Sequence, residues 1–218
     1  MKDVSVIVLA AGSGSRLGER KQFLELKAGV RMVDLAVESA LGVTDEVVLV
    51  LPNGFYWDGL PVSSVVVGGA TRLESVAAGL AVLPGDRDIV VVHDAAHPLA
   101  PKQAFHDVIE AVRSGAEAAV PFLPAADVIK RMDDRQRLST VGRDGLGLAQ
   151  VPMAFSANAL RSAHESLTKN QTAIWEDAGL IELTGGTVVG VDGWATNIHI
   201  VSEADLELAR SLANQRRT

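Results

Sequence analysis

The sequence predicts an α/β fold: a mostly parallel sheet covered by helices on both faces, with one protruding β-arm. Three observations carry this expectation. Short valine-rich apolar runs alternate with helix-period segments along most of the 218 residues. Aromatic residues are only 4% where hydrophobic residues are 48%, the composition of buried parallel strands under helices. The alternation breaks once, at about 125–150, where charges and turn residues replace the apolar runs. Regular alternation of strand and helix implies right-handed crossovers and a sheet packed on both sides.

The elements follow in order. Residues 4–10 ("VSVIVLA") form a first, uncharged strand that ends at glycines, and 32–41 carries helical periodicity. Strands follow at 46–51 ("EVVLVL") and 63–67 ("SSVVV"), then an amphipathic helix at 71–83 and the strongest apolar strand at 88–93 ("DIVVVH"). Residues 101–114 are helical, with Pro101 in the permitted first turn, and 117–122 returns to strand. Past Pro124, through "VPMAF", the chain reads as an excursion from the sheet, its arm at about 125–150 suited to packing on a second subunit. Helices resume at 156–167 and 176–182, strands at 187–193 ("TVVGVDG") and 197–201 ("NIHIV"), and Ser202 caps a last helix with Asp205 three residues on. No repeat or linker divides the chain, which reads as a single domain over 1–218.

Composition narrows the function. A net charge of −7 argues against nucleic-acid or anionic-membrane partners. The absence of cysteine removes disulfides, thiolate catalysis and thiolate metal sites. No apolar run nears the roughly 20 residues of a membrane span, and the N-terminal run reads as a strand rather than a signal peptide, so a cytoplasmic location is expected.

The first strand runs into "GSGSRLGERK", where Gly12, Gly14 and Gly18 surround Arg16 and Lys21 lies just beyond. Glycines let several backbone N–H groups approach one anion. The spacing misses the dinucleotide fingerprint by one residue, and the second strand ends Leu51, Pro52, Asn53 without the acid that a ribose-binding dehydrogenase needs. No Gly-Lys-Ser/Thr follows, so the Walker pattern fails as well. A loop with two cations suits a triphosphate, although a tight structural turn would use the same glycines. Asp94 closes the strongest strand, at the sheet edge where open α/β folds bind ligands, and can hold Mg²⁺ against phosphate oxygens; alternatively it caps a turn.

Taken together and in order, "LAAGSGSRLGERKQFL", "GGATRLESVAAGL", "VVVHDAAHP", "STVGRDGL" and "TNIHIVSEADLELA" resemble the 2-C-methyl-D-erythritol 4-phosphate cytidylyltransferase family over nearly the whole chain. The resemblance implies a Rossmann-like nucleotidyltransferase fold, transfer of CMP from CTP to a phosphorylated polyol with release of pyrophosphate, Mg²⁺ as cofactor, and a homodimer joined through the arm. It implies that Arg16 and Lys21 act on the CTP phosphates, that Ala10, Ala11, Gly12, Gly14 and Gly69 line the nucleotide, that Ser75 reads the cytosine and ribose region, and that Asp94 sits at the metal and ribose. Arg143 would reach the acceptor across the dimer.

Departures from the family pattern gather on the acceptor side. His97 stands for an arginine, Val128 for a threonine before Lys130, and Val151 for the threonine of "TPQ". Trp175 opens the family's "TDEA", and His199 replaces the lysine of "NIK". Two permanent charges and two hydroxyls are lost, each hydroxyl being worth roughly 0.5–1.5 kcal/mol of net hydrogen bonding. These changes favour a smaller phosphate or phosphonate acceptor, such as a hydroxyalkyl phosphonate. The alternatives are the family's own acceptor, methylerythritol phosphate, a catalytically impaired nucleotide-binding protein, and a transferase of another nucleotide.

Overall fold

The computed structural model describes residues 3–12, 20–167 and 176–215. In chain order its elements are β1 (Val4–Leu9), a 3-10 turn (Lys21–Phe23), β2 (Glu25–Lys27), β3 (Val30–Arg31), α1 (Met32–Leu41), β4 (Val47–Leu51), β5 (Ser64–Val67), α2 (Arg72–Leu80), β6 (Ile89–Asp94) and α3 (Lys102–Arg113). There follow β7 (Ala118–Pro124), β8 (Ile129–Met132), β9 (Leu138–Val141), β10 (Gly147–Ala149), β11 (Met153–Ser156), α4 (Ala157–Glu165), α5 (Asp177–Leu183), β12 (Val188–Asp192) and α6 (Glu203–Gln215).

The main sheet runs β10-β7-β11-β6-β1-β4-β5, with β12 on the other edge of β7. Pairings of β1 with β4 and β6, of β4 with β5, and of β7 with β12 are parallel; β11 runs antiparallel between β6 and β7. Continuous apolar strands make sense here because both faces are buried. Along β1, Val4, Val6 and Val8 pack with Val33, Val37, Phe105 and Ile109 from α1 and α3. Ile7 and Leu9 point the other way, to Val76 and Leu80 of α2 and Leu160 of α4. A third cluster seats Leu206 and Ala209 of α6 against Leu26, Met32 and Ile200.

The helix ends obey local chemistry. The Thr71 side chain accepts from Glu74 N (3.1 Å) and the Glu74 carboxylate accepts from Thr71 N (3.2 Å), a capping box that starts α2. At α6, Asp205 Oδ2 accepts from Ser202 Oγ (2.7 Å), Ser202 N and Val201 N, and its carboxyl lies below the usual range because those donors stabilise the anion.

Three expectations need correction. Residues 197–201 form no strand: Asn197 O lies within bonding distance of His97 Nδ1 (3.2 Å) and accepts from Gln150 Nε2 (3.1 Å), and Ile200 N donates to Ala96 O (3.0 Å), so side chains and a loop take the groups a ladder would use. The stretch "MAFS" (Met153–Ser156) belongs to the central sheet rather than to the excursion. The short β2–β3 hairpin was not foreseen. The arm itself is the two-stranded β8–β9 sheet, with Met132 and Leu138 exposed.

Candidate active site

β1 ends with Leu9 in register with Asp94 of β6, while Ala10 N donates to Val50 O (2.8 Å) and Gly68 N to Leu51 O (2.9 Å). The C-terminal ends of β1, β4, β5 and β6 therefore open on one side of the sheet. The chain leaves β1 toward β4 and β5, then returns to β6 on the opposite flank, which creates the crevice where α/β sheets bind ligands. A cleft of about 630 Å³ occupies this place.

The cleft gathers Ala10, Ala11, Gly12, Lys21, Gly69, Ser75, Asp94 and His199 from the sequence-based candidates. Gly14, Arg16 and Trp175 lie outside the described residues. His97 sits behind the wall, 7% exposed, its ring stacked on His199 with centroids 4.8 Å apart. Burial holds the His97 imidazole below its usual pKa despite the opposing pull of Asp94. Three candidates stand away from the cleft. Val128 is exposed on the arm; Arg143 donates to Ala126 O beside a separate hollow; Val151 packs into the core while its carbonyl accepts from Asn197 Nδ2 (2.6 Å).

Local packing explains the glycine pair before α2. A Cβ on Gly68 would overlap that of Ala11, and one on Gly69 would overlap that of Glu74. The Ser75 hydroxyl donates to Thr71 O (3.0 Å) and accepts from Gly69 N (3.2 Å), so it shapes this turn from within.

Sequence reasoning missed several residues that build the site. Gln22, 4% exposed, donates from Nε2 to Ala10 O (2.7 Å) and Gly12 O (2.9 Å), fixing the backbone that leaves β1. Its adjacency to Lys21 in the cation-bearing turn was the available signal. The Lys21 ammonium donates to Ile200 O, tying this turn to the segment that carries His199. Gln150 and Asn197 brace that segment, Gln150 Nε2 reaching Trp194 O (3.0 Å) and its Oε1 accepting from Trp194 N (2.8 Å).

Arg72 faces the cleft from the start of α2, between Asp94 and the buried Asp177. Burial alone would raise the Asp94 carboxyl, but Arg72, His97 and His93 outweigh it and hold Asp94 below the usual carboxylate range. An ionised carboxylate at a cleft edge fits a divalent cation shared with ligand phosphates, the ordinary mode for Mg²⁺. Among the described residues no cluster of three acidic or imidazole groups forms a cage of its own.

The model of the family described as IspD: 2-C-methyl-D-erythritol 4-phosphate cytidylyltransferase matches residues 4–215. The chain belongs to this family. It is thus a nucleotidyltransferase, a CTP-dependent cytidylyltransferase. It is 39% identical over 221 residues to the 2-C-methyl-D-erythritol 4-phosphate cytidylyltransferase of Rhodococcus jostii, covering 97% of this chain and 96% of that one. It is 35% identical to the bifunctional enzyme IspD/IspF of Oleidesulfovibrio alaskensis over 94% of this chain, and spans 56% of that longer relative. The crystal structure of the Thermus thermophilus 2-C-methyl-D-erythritol 4-phosphate cytidylyltransferase superposes with a TM-score of 0.84 at 31% identity, covering 97% of this chain and 99% of that one. The Rossmann-like nucleotidyltransferase sheet expected from the sequence is therefore the fold of this IspD-family cytidylyltransferase. No described helix is long and apolar enough to cross a membrane.

Proposed function

We propose that this cytidylyltransferase transfers CMP from CTP to 2-C-methyl-D-erythritol 4-phosphate and releases pyrophosphate. The end-to-end likeness to relatives bearing that activity in their names carries the reading. The smaller phosphonate acceptor expected from the sequence finds no support among these relatives, despite the substitutions at His97 and His199. In the reaction an acceptor phosphate oxygen attacks the α-phosphorus of CTP in line; the new P–O–P bond forms as the bond to the β-phosphate oxygen breaks, and the electron pair leaves with pyrophosphate. An anionic acceptor needs no general base, so the protein's work is positioning and charge stabilisation.

Lys21, a cation lining the cleft, meets the developing charge, with Arg16 as its partner in the reaction. Ala10, Ala11, Gly12 and Gly69 offer backbone groups to the nucleotide, and Asp94 takes the ribose and the cation. Mg²⁺ held at Asp94 would neutralise phosphate charge. His97, Val128, Arg143, Trp175 and His199 are assigned to the acceptor side, and Val151, packed in the core, supports that side only through its carbonyl, which accepts from Asn197 Nδ2. Arg143 and Val128, which lie off the cleft, would act there across a homodimer whose contact includes the exposed apolar arm.

The test is pyrophosphate release from CTP with methylerythritol phosphate, run against UTP and ATP and against a panel of hydroxyalkyl phosphonates. Turnover with CTP and methylerythritol phosphate at least tenfold above every other pair is expected. Faster turnover of a phosphonate, or CTP binding without pyrophosphate release from any acceptor, would refute the reading. Light scattering of the purified protein is expected to give twice the mass of one chain.

A further inference from the structure

The deepest charge in the neighbourhood of the cleft is one that the reaction does not use. Asp177, the first residue of α5, has no exposed surface. A carboxylate in that position must be paired, and it has two partners. Its Oδ2 accepts from Arg72 Nη1, and its Oδ1 lies 2.9 Å from His164 Nε2 in the last turn of α4. His164 is itself nearly enclosed, with 8% of its side chain exposed.

The guanidinium is held unevenly. Its Nε and Nη2 face Asp94 Oδ2 and Oδ1 at 3.5 and 3.4 Å. A relaxed fork between arginine and carboxylate closes to about 2.8 Å. Arg72 is thus bound firmly on its buried side and loosely on the side of the cleft, and the loose partner is the carboxylate placed at the nucleotide. Four elements meet in this bridge: the start of α2, the end of β6, the last turn of α4 and the start of α5.

We propose that Asp177, clamped by His164, is a positioning residue for the cleft: it anchors Arg72 so that the guanidinium faces Asp94 without closing on it. Cation and carboxylate are then both presented to the ligand, where an unanchored Arg72 would collapse onto Asp94 and mask it. The proposal rests on reading the cleft as the CTP site.

Calorimetric titration of CTP into the whole protein tests it. Asp177→Asn, which keeps volume and removes charge, is expected to weaken CTP binding about tenfold, the effect of one lost charge-assisted hydrogen bond. KM should rise by the same factor while kcat changes little. His164→Leu is expected to follow Asp177→Asn, and His164→Gln, whose amide N–H can stand where Nε2 stands, to restore wild-type binding; a packing role alone would lower the melting temperature of all three and leave the CTP Kd of the folded protein untouched. Where Asp177→Asn fails to fold, the His164 pair decides.

Hydrogen exchange at the Arg72 Nε–H, read by NMR on arginine-labelled protein without ligand, is expected to speed up in Asp177→Asn and His164→Leu. An unchanged CTP Kd or an unchanged Arg72 signal in those variants overturns the proposal. A wild-type protein that binds no CTP sinks the functional reading instead, and the Arg72 signal then decides the positioning role by itself.

Discussion

Replacing Gln22 by leucine removes one amide and leaves two carbonyl oxygens without their donor. The side chain is 4% exposed, and its Nε2 reaches Ala10 O at 2.7 Å and Gly12 O at 2.9 Å. Ala10 is buried, so its carbonyl meets the full cost of an unpaired polar group, about 1–3 kcal/mol. Gly12 is exposed and water can replace the amide there at little cost. A loss of about 2 kcal/mol is therefore expected, which for a chain of this length lowers the melting temperature by about 4–8 °C. Because the same amide fixes the backbone entering the glycine loop, KM for CTP should also rise, by roughly tenfold, through misplacement of the nucleotide. Scanning calorimetry and initial rates against CTP concentration measure the two effects. Gln22→Glu keeps the shape but loses the donors, and should fall at least as far. A Gln22→Leu protein that melts within a degree of wild type with an unchanged KM would refute the reasoning.

Lys21→Ala is expected to lower kcat about a hundredfold, the usual consequence of removing one preorganised donor to a transition state, measured by pyrophosphate release at saturating CTP. Gly69→Ala forces a Cβ into Glu74 at the cleft rim, and a steric cost of about 1–3 kcal/mol should appear as a KM for CTP raised tenfold or more. His93 is fully buried, and burial, aided by His97, pushes its pKa down to about 3. The unfolded chain takes up that proton near pH 6.5 and the folded chain does not, so stability should fall as pH drops from 6.5 toward 3; urea unfolding of His93→Leu over this range should show a flatter profile than wild type.

Much of the sheet was legible because its strands are buried on both faces and so appear as predominantly apolar runs; β1, β4 and β6 are examples. The caps at Ser202 and Asp205 were legible because the chemistry is local. β11 was not, since "MAFS" has four residues, no β-branched side chain and a proline just before it. The pattern "NIHIV" misled because apolar alternation reports burial, while its backbone groups bond to the Gln150, His97 and Lys21 side chains and to Ala96. Lys21 and Asp94, which share the cleft, could each be singled out from a local motif, the turn that follows β1 and the end of β6. The bridge from Arg72 to Asp177 spans 105 residues, and no local pattern signals a pair that only the fold assembles.

The bond from the Lys21 ammonium to Ile200 O stitches residues that lie 179 positions apart. The segment holding His199 thereby leans on the same lysine that is assigned to the phosphates. Under the proposed assignments, the two substrate sites cannot be tuned as separate modules: a substitution meant to reshape one pocket will tug on the other. Any effort to retrain this enzyme for a new acceptor should therefore monitor its hold on CTP from the first round.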